Sequence, residues 1–186
     1  MSIHEQLRNR FWPYGPRPNI WAIFDCARDP RMFYRITHSG LLHECLFAGD
    51  LAPDLQHAAP YLVQLECDDR RSDELIDFSF GTAQGVFIDA DIGIKSLRKH
   101  LRSILRVEAP GGKRMLFRYY DPRVLRVYLP TCNSGELDLV FGPIQRFWVE
   151  EGPASGGILL FERKQGHLHT LAFGALAPVG VPTVRE

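Results

Sequence analysis

Net charge is missing from this chain: 22 lysines and arginines are balanced by 22 aspartates and glutamates, which removes the simplest argument for a nucleic-acid binder. Paired cysteines are missing too. Cys26, Cys45, Cys67 and Cys132 show no CxxC spacing and sit mostly among apolar neighbours, so buried free thiols in a reducing compartment are expected rather than a disulfide framework or a metal centre. Residues 1–8 hold no apolar segment of the kind a signal peptide needs. The uncharged stretch over residues 171–184 is short and broken by glycine and proline. Neither a signal peptide nor a membrane span is expected, and the expected location is cytoplasmic.

Catalytic signatures are equally scarce. No serine sits in a GxSxG elbow, and no cysteine has the surroundings of an activated thiolate. Gly111-Gly112-Lys113 lacks the upstream glycine and the hydroxyl residue after lysine that a phosphate loop needs. His167 and His169 fall on one side of a strand, yet no third ligand stands at a metal-site spacing. The acidic cluster Asp68, Asp69, Asp73, Glu74 and Asp77 opens a helix, where capping and solvation explain it better than acid–base work. No catalytic residue, cofactor or metal is expected, and the chain does not read as an enzyme.

What is present is enough apolar material for a real core. With 186 residues, 45% of them hydrophobic, a single fold can bury roughly 70% of the unfolded chain's surface. Alternating strand and helix patterns predict a mixed α+β fold of the α/β type, a central mixed sheet flanked by helices, with a C-terminal β-hairpin. The expected organisation is a main domain over residues 1–150, with a hairpin and tail over 151–186 packed on it. Strands are predicted at 20–24, 43–47, 61–65, 85–88 and 144–149. Helices are predicted at 3–11, 31–40, 71–80 and 91–105. Two hairpins are predicted, one around Gly111-Gly112 and one around Lys164-Gln165-Gly166.

One stretch, residues 114–130, organises the rest. Met115, Phe117 and Tyr119 alternate with Arg114, Leu116, Arg118 and Tyr120, the two-residue period of a strand with one apolar face. Then Asp121 suits a helix cap and Pro122 a first helical position, and Val124, Leu125, Tyr128 and Leu129 recur at helical spacing until Pro130. Asp29-Pro30-Arg31, following the strand that ends at Asp25, repeats the same device. Good helix-start chemistry arising twice explains this more simply than duplication.

The charges are unevenly placed. Residues 44–91 hold eleven acids against Arg70 and Arg71, whereas residues 95–126 hold ten bases against Glu108 and Asp121. The bland reading of the basic run is a solvated face. The functional reading is a docking surface built from Arg98, Arg102, Arg118, Tyr120, Arg123 and Arg126, since Tyr and Arg favour protein interfaces and also stack on bases. A partner protein is the stronger reading and a nucleic-acid-binding module the alternative. Arg118→Ala and Arg123→Ala, at such a surface, lower binding and leave melting unchanged; the apolar C-terminal hairpin is a second candidate surface.

Several motifs together resemble a known family: Phe24-Asp25-Cys26-Ala27-Arg28-Asp29-Pro30-Arg31, Ala59-Pro60-Tyr61-Leu62-Val63, Leu97-Arg98-Lys99-His100-Leu101-Arg102 and, above all, Leu116-Phe117-Arg118-Tyr119-Tyr120-Asp121-Pro122-Arg123-Val124-Leu125. In order and spacing they resemble a domain-of-unknown-function family of type VI secretion effector chaperones, also called adaptors, over about residues 20–149. The resemblance implies a non-enzymatic cytoplasmic protein. Its implied partners are a cognate effector protein and the valine-glycine-repeat spike protein onto which the toxin is loaded, with no membrane involved and nucleic acid disfavoured. Asp25, Asp29, Pro30, Asp121 and Pro122 are its structural motif residues; no catalytic residues are implied.

Overall fold

The computed structural model describes residues 3–109, 111–152, 156–174 and 183–184. In chain order its helices are α1 (Ile3–Phe11), α2 (Arg31–Ser39), α3 (Pro53–His57), α4 (Arg70–Ser79), α5 (Ile94–Ser103), α6 (Pro122–Tyr128) and α7 (Ser134–Phe141), with a 3₁₀ turn at Leu129–Thr131. Its strands are β1 (Ile20–Asp25), β2 (His43–Cys45), β3 (Pro60–Leu65), β4 (Gly85–Asp89), β5 (Arg106–Ala109), β6 (Lys113–Leu116), β7 (Arg146–Glu150), β8 (Ile158–Lys164), β9 (His167–Phe173) and β10 (Thr183–Val184). The main sheet runs β10-β9-β8-β7-β4-β1-β3-β2, and β5-β6 stands apart as a two-stranded sheet. The mixed α+β class is as expected.

The direction of the strands is not as expected. Every pairing in the main sheet is antiparallel, where strand–helix alternation predicts a mixed sheet. The reason lies in the crossovers. α2 carries the chain from β1 to β2 across β3, and α4 carries it from β3 to β4 across β1. Each helix therefore joins strands that run the same way but are not neighbours, and an antiparallel strand fills the gap between them. Beyond residue 150, β8 hydrogen-bonds along β7 from Ile158 to Glu162 and carries the same sheet into the terminal hairpin. That hairpin turns at Gln165 and Gly166, both with positive φ, the twist that two-residue connections favour.

Helices cover both faces, so strands are apolar on both sides. In β1, Trp21 and Ile23 face a core shared with Leu97 and Leu101 of α5, Leu125 of α6 and Leu137 of α7. Ile20, Ala22 and Phe24 face a second core with Leu7 and Phe11 of α1, Met32 and Ile36 of α2 and Leu75 of α4. The period-two geometry of a strand thus turns the unbroken run Ile20-Trp21-Ala22-Ile23-Phe24 into two buried faces. Ile158, Leu160 and Phe161 of β8 are buried in these cores as well, so the C-terminal hairpin is a wall of the core rather than a free apolar surface.

One helix-start device occurs three times. Asp29, Asp69 and Asp121 each accept the backbone N–H two residues on, at 2.9, 2.8 and 2.9 Å. Each then binds the Nε and Nη2 of the arginine that supplied that N–H: Arg31, Arg71 and Arg123. The carboxylate satisfies a free helix N–H, offsets the positive helix end and holds a guanidinium by a two-point bond. The acidic cluster at α4 is also engaged: Asp68 and Asp73 bind Arg8 of α1, Asp77 binds His4, and Glu74 binds Arg70.

Residues 114–130 differ from the alternating strand expected there. β6 stops at Leu116, Met115 lies 47% exposed, and Tyr119 and Tyr120 are both buried. The hairpin has no second layer over it, so alternation in its sequence does not translate into an inward face. The helix start is as expected, with Asp121 capping α6 and Pro122 at its first turn.

Two stability predictions follow from buried carboxyls. Burial pushes Asp121 up, but the hydrogen bonds and charge of Arg123 outweigh it and leave the group below its ordinary value. Its contribution is present above the ordinary aspartate range and lost as pH falls through the lowered folded value. Asp121→Ala is expected to cost about 1–2 kcal/mol, with a deficit in thermal melting that narrows on the acid side. Glu150, 3% exposed, is the opposite case. Burial raises it, against the backbone N–H of Ala83 and the nearby arginines. The ionised form therefore costs stability above the raised value, and the cost is gone below the ordinary glutamate range. Glu150→Gln should melt higher than wild type at neutral pH and no higher in acid; a constant difference across pH would refute the assignment.

Candidate functional site

A groove of about 730 Å³ lies between α5, the segment after β2, α3 and the β5-β6 hairpin. It arises because the hairpin leaves the main sheet and stands over the outer face of α5. Leu46 and Leu105 are buried and form its floor, while Leu55, Met115 and Leu116, each 47% exposed, and Leu51 form apolar walls. The basic lining comes mostly from one helix. Lys95, Arg98, Lys99 and Arg102 recur at helical spacing on the face of α5 opposite Leu97 and Leu101, and Arg106 and Arg114 continue it onto the hairpin. Among the described residues, no carboxylate lines the groove.

Among the described residues, Lys95, Lys99, Arg102, Arg106 and Arg114 have no ion-pair partner. Arg98 is different. Its Nε donates to the Cys45 carbonyl at 2.7 Å and its Nη2 to that of Phe47 at 3.3 Å, with Glu44 at 3.5 Å. It ties α5 to the edge of the sheet.

The other expected docking residues lie outside the groove and are held by bonds within the fold. Arg118 donates from Nη2 to Asp25 at 2.7 Å; that carboxylate is 1% exposed and also accepts the N–H of Ala27. Tyr120 is buried, with the Arg118 guanidinium 6.0 Å from its ring centre. Arg123 is clamped to Asp121, and Arg126 donates from Nη1 to the carbonyls of Glu150 and Glu151 at 3.1 and 2.7 Å. These side chains hold the 114–130 stretch to β1 and β7. Tyr119 completes the attachment by donating its hydroxyl to the Leu101 carbonyl of α5 at 2.9 Å.

Only Arg98 and Arg102 of the expected set reach the groove. Sequence reasoning missed its apolar walls, because Leu51, Leu55, Met115 and Leu116 come from two distant segments. Lys95 and Lys99 were legible: they share the α5 face with Arg98 and Arg102. The thiols offer no nucleophile. Burial is the chief cause that raises Cys26, Cys45, Cys67 and Cys132 above the ordinary thiol value, which keeps them protonated at neutral pH. Among the described residues, no group of three or more His, Cys, Asp or Glu is placed to hold a metal ion, and no helix is long and apolar enough to cross a membrane.

The Asp25 pairing reverses the expectation for Arg118. Removing the arginine leaves a buried carboxylate short of a donor, a loss of about 1–3 kcal/mol. Arg118→Ala should therefore melt lower than wild type, and Asp25→Asn should cost less in that background than alone, which a double-mutant cycle by thermal melting measures. Unchanged melting would return Arg118 to the surface role.

The motifs that meet through Asp25 and Arg118 are also where the comparisons with known proteins find a match. No curated protein and no solved structure matches the chain. The model of the domain of unknown function DUF4123 matches residues 20–139, well over half of the sequence and every element from β1 to most of α7. The chain belongs to the DUF4123 family.

Proposed function

We propose that this protein is a non-enzymatic adaptor that binds a type VI secretion effector in the cytoplasm and helps load it onto the valine-glycine-repeat spike protein. The family match supports the reading, in line with the chaperone resemblance of its motifs. The single observation that carries it is the groove along α5, an apolar trough whose basic lining, Arg98 apart, has no ion-pair partner among the described residues and suits a protein segment. Aliphatic walls with charged rims are the ordinary anatomy of a docking site, where a few anchors contribute most of the affinity.

Loading requires two encounters, one with the effector and one with the spike. Because both faces of the main sheet are covered by helices, neither is open to a partner, and binding falls to the outer surfaces of helices and hairpin. The test is co-purification of the full chain with the effector and spike proteins encoded beside it. A complex with the effector, and a ternary complex when the spike is added, are expected. Failure to bind either protein when all are folded would sink the reading.

A further inference from the structure

We infer that the groove along α5 receives an acidic amphipathic helix of the partner, with an apolar face against Leu55, Met115 and Leu116 and carboxylates toward Lys95, Lys99 and Arg102. The inference rests on the adaptor reading for which protein carries the helix, and on the groove itself for the chemistry.

Three features fix the occupant. The first is length. The groove follows α5 from Lys95 to Arg102 and on to Arg106, and a helix of 10 residues is about 15 Å long. That matches about three turns of a partner helix, enough for apolar anchors at i, i+3 or i+4, and i+7. The second is charge. Among the described residues, six basic side chains line the groove and no acid does. By contrast, the acids at α4 are met within the fold by Arg8, His4, Arg70 and Arg71. Leaving Lys95, Lys99, Arg102, Arg106 and Arg114 without carboxylates, beside exposed leucines, makes the groove complementary to glutamates and aspartates flanking an apolar stripe.

The third is the kind of contact available. On the side of β2 the carbonyls of Cys45 and Phe47 already accept from Arg98, so there the groove presents side chains, as a helix requires, rather than backbone for an added strand. Nucleic acid fits less well. Single strands are bound by stacking bases on aromatic faces, and among the described residues Phe47 is the one aromatic in a lining otherwise aliphatic and basic apart from Ser103.

The test uses the full chain and fluorescence anisotropy with three probes: a Leu/Glu amphipathic peptide of about 15 residues, long enough to be helical, its Leu/Lys counterpart, and an oligothymidine of similar length. The Leu/Glu peptide should bind about tenfold or more tighter than either of the others. Leu116→Asp and, separately, Lys99→Glu with Arg102→Glu should each weaken it about tenfold or more. Val127→Asp, on the 66% exposed outer face of α6 and outside the groove, should bind as wild type does. Two kinds of groove variant keep the test decisive if one misfolds. Equal affinity for the two peptides, groove variants that bind as wild type, or tighter binding of oligothymidine would overturn the inference. Self-association of the wild type that Leu116→Asp abolishes would also overturn it, assigning the groove to a second copy. Peptide binding without effector co-purification defeats the adaptor reading alone, whereas effector binding that the groove variants leave intact defeats the helix inference alone.

Discussion

The carboxylate of Asp25 lies at the end of the central strand, almost without exposure, and its charge is met from outside the sheet by Arg118, 93 residues away in sequence. Much of the architecture depends on that meeting. With Arg118 fixed over the end of β1, Tyr119 and Tyr120 turn inward together, Tyr119 reaches the Leu101 carbonyl, and Asp121 stands at the head of α6. Arg126, one turn along α6, then binds the chain where β7 ends. An ion pair with one buried member is a modest source of stability compared with apolar packing, but removing the partner of the buried carboxylate is costly. Its use here is placement: it brings the Asp29-Pro30-Arg31 and Asp121-Pro122-Arg123 segments to one end of the sheet.

That placement has a consequence for the groove. The chain between α5 and α6 returns to the end of β1, and its hairpin pairs as a separate two-stranded sheet that borders the groove beside α5. Phe117 marks the exit, donating its N–H to the Leu105 carbonyl and packing its ring 4.6 Å from that of Tyr128. A two-stranded ribbon with no layer above it leaves apolar side chains partly in water. Met115 and Leu116 are such side chains, and α5 lies beside them with its charged face outward. The groove is therefore a by-product of the corner that Arg118 and Tyr119 hold.

Much of the fold was legible because its local chemistry is strong. Asp before a helix followed two residues on by Arg, apolar runs of strand length, and a Gln-Gly turn all specify structure within a few residues. Strand direction was not legible. Ile20-Trp21-Ala22-Ile23-Phe24 says that both faces are buried, and nothing in it says whether the neighbour is reached by the next crossover or the one after. The site was legible by halves. Helical spacing places Lys95, Arg98, Lys99 and Arg102 together, but the apolar side chains opposite them come from the segment around α3 and from the β5-β6 hairpin, which meet only in the tertiary fold. The same gap made Arg118, Arg123 and Arg126 read as free charges, since a chain shows that an arginine exists and not that a carbonyl or carboxylate awaits it.

The contrast between the two charged regions bears on what the protein binds. Both were visible as runs of one sign, eleven acids in residues 44–91 and ten bases in residues 95–126, yet the fold treats them differently. Acids at the start of α4 are cross-linked to α1 and to their own arginines, so that region gives rigidity to the helical layer over the second core. Four of the ten bases are likewise absorbed: Arg98, Arg118, Arg123 and Arg126. What remains after those pairings is confined to the α5 face and the adjoining hairpin, next to the exposed aliphatic side chains of the groove. Solvation alone explains a charged helix face and leaves unexplained why the unpaired cations coincide with Leu55, Met115 and Leu116. A partner segment with apolar and acidic faces accounts for both, because it covers the aliphatic side chains and neutralises the cations in one docking event.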